Sequence, residues 1–100
     1  MFVMATSSEY MCIPLPACPV ADPTSFPVSV ALLREPVAAE PQDADYKAAI
    51  WLDGAIARKP DGQWQDEYAP GEYMAYVRII AGAEDVRLPA GRVRIGDART

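Results

Sequence analysis

The sequence predicts one all-β domain, a small antiparallel sandwich or open barrel, and three observations carry that prediction. Ten prolines stand in 100 residues, and Pro14, Pro16, Pro19, Pro23, Pro27, Pro36 and Pro41 crowd the first half. Proline lacks a backbone donor and breaks helix interiors, so no long helix fits before Pro41. Apolar residues recur at every second position in several short runs, the period of a half-buried strand. Between the runs stand Asp53-Gly54, Asp61-Gly62, Pro70-Gly71 and Gly82, which accept the dihedrals of tight turns.

Taken in order, Ser8 to Ile13 alternates weakly, with Tyr10 and Cys12 opposite Met11 and Ile13. Val28 to Leu33 is clearer, because Val28, Val30 and Leu32 share a face. Arg34 to Asp45 is acidic, holds two prolines and reads as a long loop. Tyr46 to Leu52 sets Tyr46, Ala48, Ile50 and Leu52 against Lys47, Ala49 and Trp51, although its alanines also allow two helical turns. Ala55 to Arg58 is a short return strand after the Asp53-Gly54 turn. Pro70-Gly71 suits the central positions of a type II turn. The long strand Glu72 to Ile80 follows, with Tyr73, Ala75, Val77 and Ile79 aligned. Val86 to Leu88 starts the return and Arg92 to Ile95 completes it, Val93 and Ile95 inward, Arg92 and Arg94 outward. Pro89-Ala90-Gly91 interrupts this strand as a bulge or an edge kink. The organisation is therefore a proline-rich extended N-terminal arm over 1–27, a β-sandwich domain over 28–97 and a tail over 98–100.

Composition narrows the function classes. The chain has no histidine, the side chain that dominates acid–base chemistry and metal ligation near neutral pH. Every triad or metal site that needs an imidazole is excluded, so the expectation is a non-enzymatic protein without metal or cofactor. A net charge of −5, with the basic residues scattered, is the wrong electrostatic footprint for nucleic acid. Leu15-Pro16-Ala17-Cys18 has a faint lipoprotein look, but no basic start or apolar run precedes it. No stretch approaches the ~20 apolar residues of a membrane span. Cys12 and Cys18 bracket a proline-containing loop and read as reduced, partly buried thiols, with a disulfide as the alternative.

Few constellations invite chemistry. Asp43 and Asp45, near Glu40, form an Asp-x-Asp pair without the six to eight oxygens calcium wants, so a solvated acidic loop is expected. Asp61, Asp66 and Glu67 flank Trp64, which suggests carbohydrate contact only weakly. Among the large rings, Trp51 and Tyr73 read as core. Trp64 lies between glutamines in a polar loop and Tyr76 lies opposite Tyr73, so these two are the aromatic interface candidates. Arg78, Arg92 and Arg94 join them on the outward face of the last hairpin, where forked donors suit partner carboxylates. The alternative for the arginines is a solvated face that protects a sheet edge.

The ordered segment from Ala44 to Asp97 carries a family resemblance. Its parts are the strand Tyr46 to Trp51, the Asp61-Gly62 turn, Pro70-Gly71-Glu72-Tyr73-Met74-Ala75-Tyr76-Val77-Arg78-Ile79, the turn Ala83-Glu84-Asp85-Val86, and Ala90-Gly91-Arg92-Val93-Arg94-Ile95. It resembles small virion proteins of tailed bacteriophages, related to the immunoglobulin-like β-sandwich domains of phage baseplate upper proteins. The resemblance implies an immunoglobulin-like sandwich and a structural role in the virion, at the head–tail junction or capsid surface. The implied partners are capsid, portal or tail subunits, met in multiple symmetric copies, with no nucleic acid and no membrane. A tail or baseplate accessory protein, or an exported carbohydrate- or protein-binding module, is the alternative.

Overall fold

The computed structural model describes residues 1–18 and 21–96. Pro19 and the expected tail over 98–100 lie outside the described residues. The fold is all-β: one seven-stranded mixed sheet in the order β1-β7-β6-β3-β4-β5-β2. The strands are β1 (Phe2–Met4), β2 (Met11–Ile13), β3 (Val28–Arg34), β4 (Lys47–Leu52), β5 (Ala55–Arg58), β6 (Gly71–Ala81) and β7 (Glu84–Gly96). Neighbours pair antiparallel except β1 and β7, which are parallel.

Topology forces this sheet to curl. β1 and β2 occupy opposite edges, yet only the segment Ala5 to Tyr10 joins them. Seven strands laid flat place the outer two ~29 Å apart, whereas the chain from Met4 to Met11 reaches at most ~25 Å. The sheet therefore closes nearly into a barrel. A one-turn helix, α1 (Trp64–Glu67), bridges the remaining gap. Its Trp64 N–H donates to the Ser7 carbonyl at 3.0 Å and the Gln65 N–H to that of Ala5 at 2.8 Å.

Period-two burial fills the interior. Val28, Val30 and Leu32 of β3 meet Tyr73, Ala75, Val77 and Ile79 of β6, with Val93 and Ile95 of β7, Ile56 of β5, and Met11 and Ile13 of β2. The Pro89-Ala90-Gly91 interruption is a bulge: β7 runs unbroken, while the register jumps from Ala75↔Gly91 to Tyr76↔Pro89. Asp53 and Gly54 take positive φ values of 50° and 80°, the turn expected from that dipeptide.

Several expectations need correction. The first 27 residues are not a separate arm: β1 and β2 are the sheet margins, and Met11 and Ile13 are buried core. Extended chain was foreseen there, but three-residue strands carry too little alternation to show their pairing. The strand expected over Tyr46 to Leu52 does form, as β4, and a short 3-10 turn, Asp43–Asp45, precedes it in place of two helical turns. Gly71 is extended rather than turned, with φ 159°. A Cβ there would meet the Arg34 guanidinium at 2.8 Å, so the end of that side chain would have to shift.

Candidate functional site

Arginines and aromatic rings are interleaved at one end of the barrel. Trp64 is fully buried, and its Nε1–H donates to the Glu9 carbonyl at 3.0 Å. Gln63 and Asp66 close a capping box around α1, which turns the indole inward. The Arg58 guanidinium lies 5.3 Å from the Trp64 ring centroid and 5.6 Å from that of Tyr68. Arg58 is 5% exposed and is neutralised by an ion pair with Glu67, whose second oxygen accepts the Asp61 N–H at 3.0 Å. Tyr68 meets Tyr73 edge-on at 5.5 Å, and burial pushes the Tyr68 phenol above its ordinary pKa against the opposing pull of Arg58. The Tyr73 hydroxyl donates to the Ala69 carbonyl at 2.5 Å and accepts from Arg34 at 3.2 Å. These groups satisfy one another, and the cluster closes the barrel end.

Trp64 is therefore not the surface aromatic expected from its glutamine neighbours. Gln65 and Asp66 of α1 face solvent, Glu67 turns to Arg58, and the single indole plugs the gap between β1 and β2. The weak suggestion of carbohydrate contact loses its aromatic platform with it. Of the two aromatics read as core, Tyr73 is buried and Trp51 half-buried, its Nε1–H held by the Phe26 carbonyl at 2.8 Å. Cys12 is exposed, Cys18 packs against the core, and both are free thiols.

The other four candidates lie together on the outer face of the β6–β7 hairpin, and the three arginines among them are each paired with a carboxylate of the chain. Arg78 grips Asp85 through two bonds of 3.0 and 2.8 Å. Arg87, its partner across the ladder, reaches Asp85 at 3.0 Å and Asp43 at 2.6 Å. Both guanidiniums lie within 6 Å of the Tyr46 ring, at 5.8 and 5.5 Å. Bonds from Arg78 and then Arg87 hold the Asp85 carboxyl well below the usual carboxylate range. Tyr76 is half-buried and lines a notch of about 70 Å³ with Tyr46, Pro41 and Pro89. Farther along, Arg92 pairs with Glu35 at 3.1 Å and Arg94 with Glu72 at 3.6 Å.

These contacts show what the acidic loop does. The segment after β3 crosses the outer face as a strap, anchored by Glu35 on Arg92 and Asp43 on Arg87. Beneath it Ala31, an outward residue of a central strand, is completely buried. Arg87 was missed as a member of this face. Counting back from the Gly82 turn sets it opposite Arg78, and that was the signal available.

Bare apolar surface lies elsewhere. Phe2 and Met4 on β1, with Met1 and Tyr10, are 40–49% exposed. Phe2, Met4 and Tyr10 border a shallow depression of about 370 Å³. Ile50 and Leu52 project from the outer side of β4 at 47% and 42%. No family model, curated protein or solved structure matches the chain.

Proposed function

We propose that this protein is a non-enzymatic structural component of a tailed-phage virion, docking onto capsid, portal or tail subunits at the head–tail junction or capsid surface. The ordered likeness of Ala44 to Asp97 to small virion proteins supplies the class. In this reading the curled sheet is a variant of the immunoglobulin-like sandwich. The sheet margin formed by β1 is the part that meets a neighbour.

The observation that carries the docking half is the apolar rim of β1. The three-residue edge strand β1 exposes Phe2 and Met4 beside Tyr10. Exposed apolar groups clustered around a depression mark contact surfaces. A modest patch suffices in a symmetric particle, because linked copies raise the effective concentration of every contact. The paired arginines around Tyr76 serve as a polar margin.

The test is mass spectrometry of purified phage particles, coupled to a Phe2→Ser/Met4→Ser variant. The polypeptide is expected in particles at a fixed stoichiometry, and the variant is expected to fold but drop out. Finding the chain only as free protein, absent from every particle fraction, defeats the proposal.

A further inference from the structure

We infer that the strap over residues 35–46 is a latch, which lifts off the outer face as a unit while the barrel stays folded and uncovers an apolar row of the sheet. Such a motion goes beyond the virion reading, which is carried by the rim of β1 and shares with this face only the polar margin around Tyr76.

Connectivity does not hold the strap where it lies. β3 ends at Arg34 and β4 starts at Lys47. Lys47 stands opposite Val30, which puts it only ~15 Å from the end of β3. Residues 35–46 can reach up to ~40 Å, so the detour across the sheet is set by its anchors. Those anchors are side chains: among the described residues, no backbone hydrogen bond joins 36–44 to the sheet. Glu35 meets Arg92 and Asp43 meets Arg87. Between them only Pro41 is buried, set against Tyr46, Tyr76 and Pro89. A shallow depression of about 370 Å³ lies between Leu33, Arg34 and the strap residues Val37 and Ala38, so the strap is not packed down along its length.

The covered face has a defined layout. Register places Ala31, Tyr76 and Pro89 in one cross-strand row. Ser29, Arg78 and Arg87 form the row on one side, and Leu33, Met74 and Arg92 the row on the other. The strap sets a carboxylate at each arginine-bearing row and a prolyl ring on the middle one. Release costs little. Arg92 is 75% exposed and Asp43 73%, so both pairs are hydrated and each contributes little. Asp85 still binds Arg78 and Arg87 when Asp43 leaves, so neither guanidinium is stranded. Salt screens exposed pairs of this kind, which makes ionic strength the control of the latch.

The experiment labels alanine methyl groups and measures their relaxation enhancement by a neutral, soluble gadolinium chelate. Ala31 is 0% exposed, so enhancement at its methyl reports uncovering. Raising salt from about 0.01 M to about 1 M shortens the screening distance from ~30 Å to ~3 Å. Over that range the enhancement at Ala31 is expected to rise about fivefold. Ala75, equally buried on the inner face, is expected to stay constant. Glu35→Gln/Asp43→Asn is expected to show the high-salt enhancement already at low salt, with an unchanged Ala75 shift showing that it is folded. Protection of Ala31 that is indifferent both to salt and to the double variant overturns the proposal, because neighbouring side chains then cover Ala31 without the strap. A parallel rise at Ala75 overturns it as well, since the whole barrel then loosens.

Discussion

Replacing Trp64 by alanine removes the plug of the barrel, and its cost follows from the burial. The indole is 0% exposed, so all of its area returns to water on unfolding. Roughly 200 Å² at about 25 cal/mol per Å² corresponds to about 5 kcal/mol, the upper end of the ~3–5 kcal/mol typical of a truncated buried aromatic. The Glu9 carbonyl also loses its donor, and Arg58 loses one of its two covering rings. A domain of this size has ~5–15 kcal/mol in total, and each kcal/mol moves the midpoint by ~4–8 °C. Trp64→Ala is therefore expected to melt ~15–30 °C below the parent in circular dichroism, or to arrive unfolded. Trp64→Phe keeps a ring but not the Nε1–H bond, and is expected to cost ~1–2 kcal/mol. If Trp64→Ala melts within ~3 °C of the parent, the indole does not close the barrel, and the placement of α1 between β1 and β2 is wrong.

Three further outcomes follow from other groups. Tyr73→Ala is expected to cost ~3–5 kcal/mol, and Tyr73→Phe ~1 kcal/mol for the hydroxyl shared by Ala69 and Arg34; equal denaturation midpoints for the two variants would show that the β6 register is wrong. Glu67→Ala leaves the 5%-exposed Arg58 without its counter-charge and is expected to cost ~3–5 kcal/mol in urea denaturation, whereas Arg58→Met/Glu67→Met is expected to recover most of that loss. Asp85 has a depressed folded pKa, so its bonds to Arg78 and Arg87 contribute fully above the unfolded value of about 3.9. They are lost only as pH falls through the lower folded value. A carboxyl-carbon titration should therefore find Asp85 still ionised where ordinary carboxylates protonate, and a midpoint near 4 would refute the clamp.

Some of this was legible in the residues and some was not, for definable reasons. β3, β6 and β7 announce themselves because each buries one face and exposes the other, so Val30, Tyr73, Val77 and Val93 fall on every second position. The bulge was marked by Pro89 and Gly91. β1 was invisible because three residues cannot display a period, and its partner β7 lies more than ninety positions away. Trp64 misled because local polarity describes only the side of α1 that meets water. The arginine face was half visible: strand parity places Arg78, Arg92 and Arg94 outward. No local rule shows that Asp43 and Glu35 return across the sheet to meet them.

The placement of β1 also has a kinetic consequence. Phe2 pairs with Arg94, so during synthesis β1 must wait for the much later β7 before it finds its partner. Until then α1 has one margin of the sheet to lean on and not the other. Contacts between distant parts of a chain are slow to form because the loop between them must first be closed. The nascent protein therefore passes through a stage in which β3 to β6 can zip together while the seam stays open, with Phe2 and Met4 loose and available to a neighbouring copy.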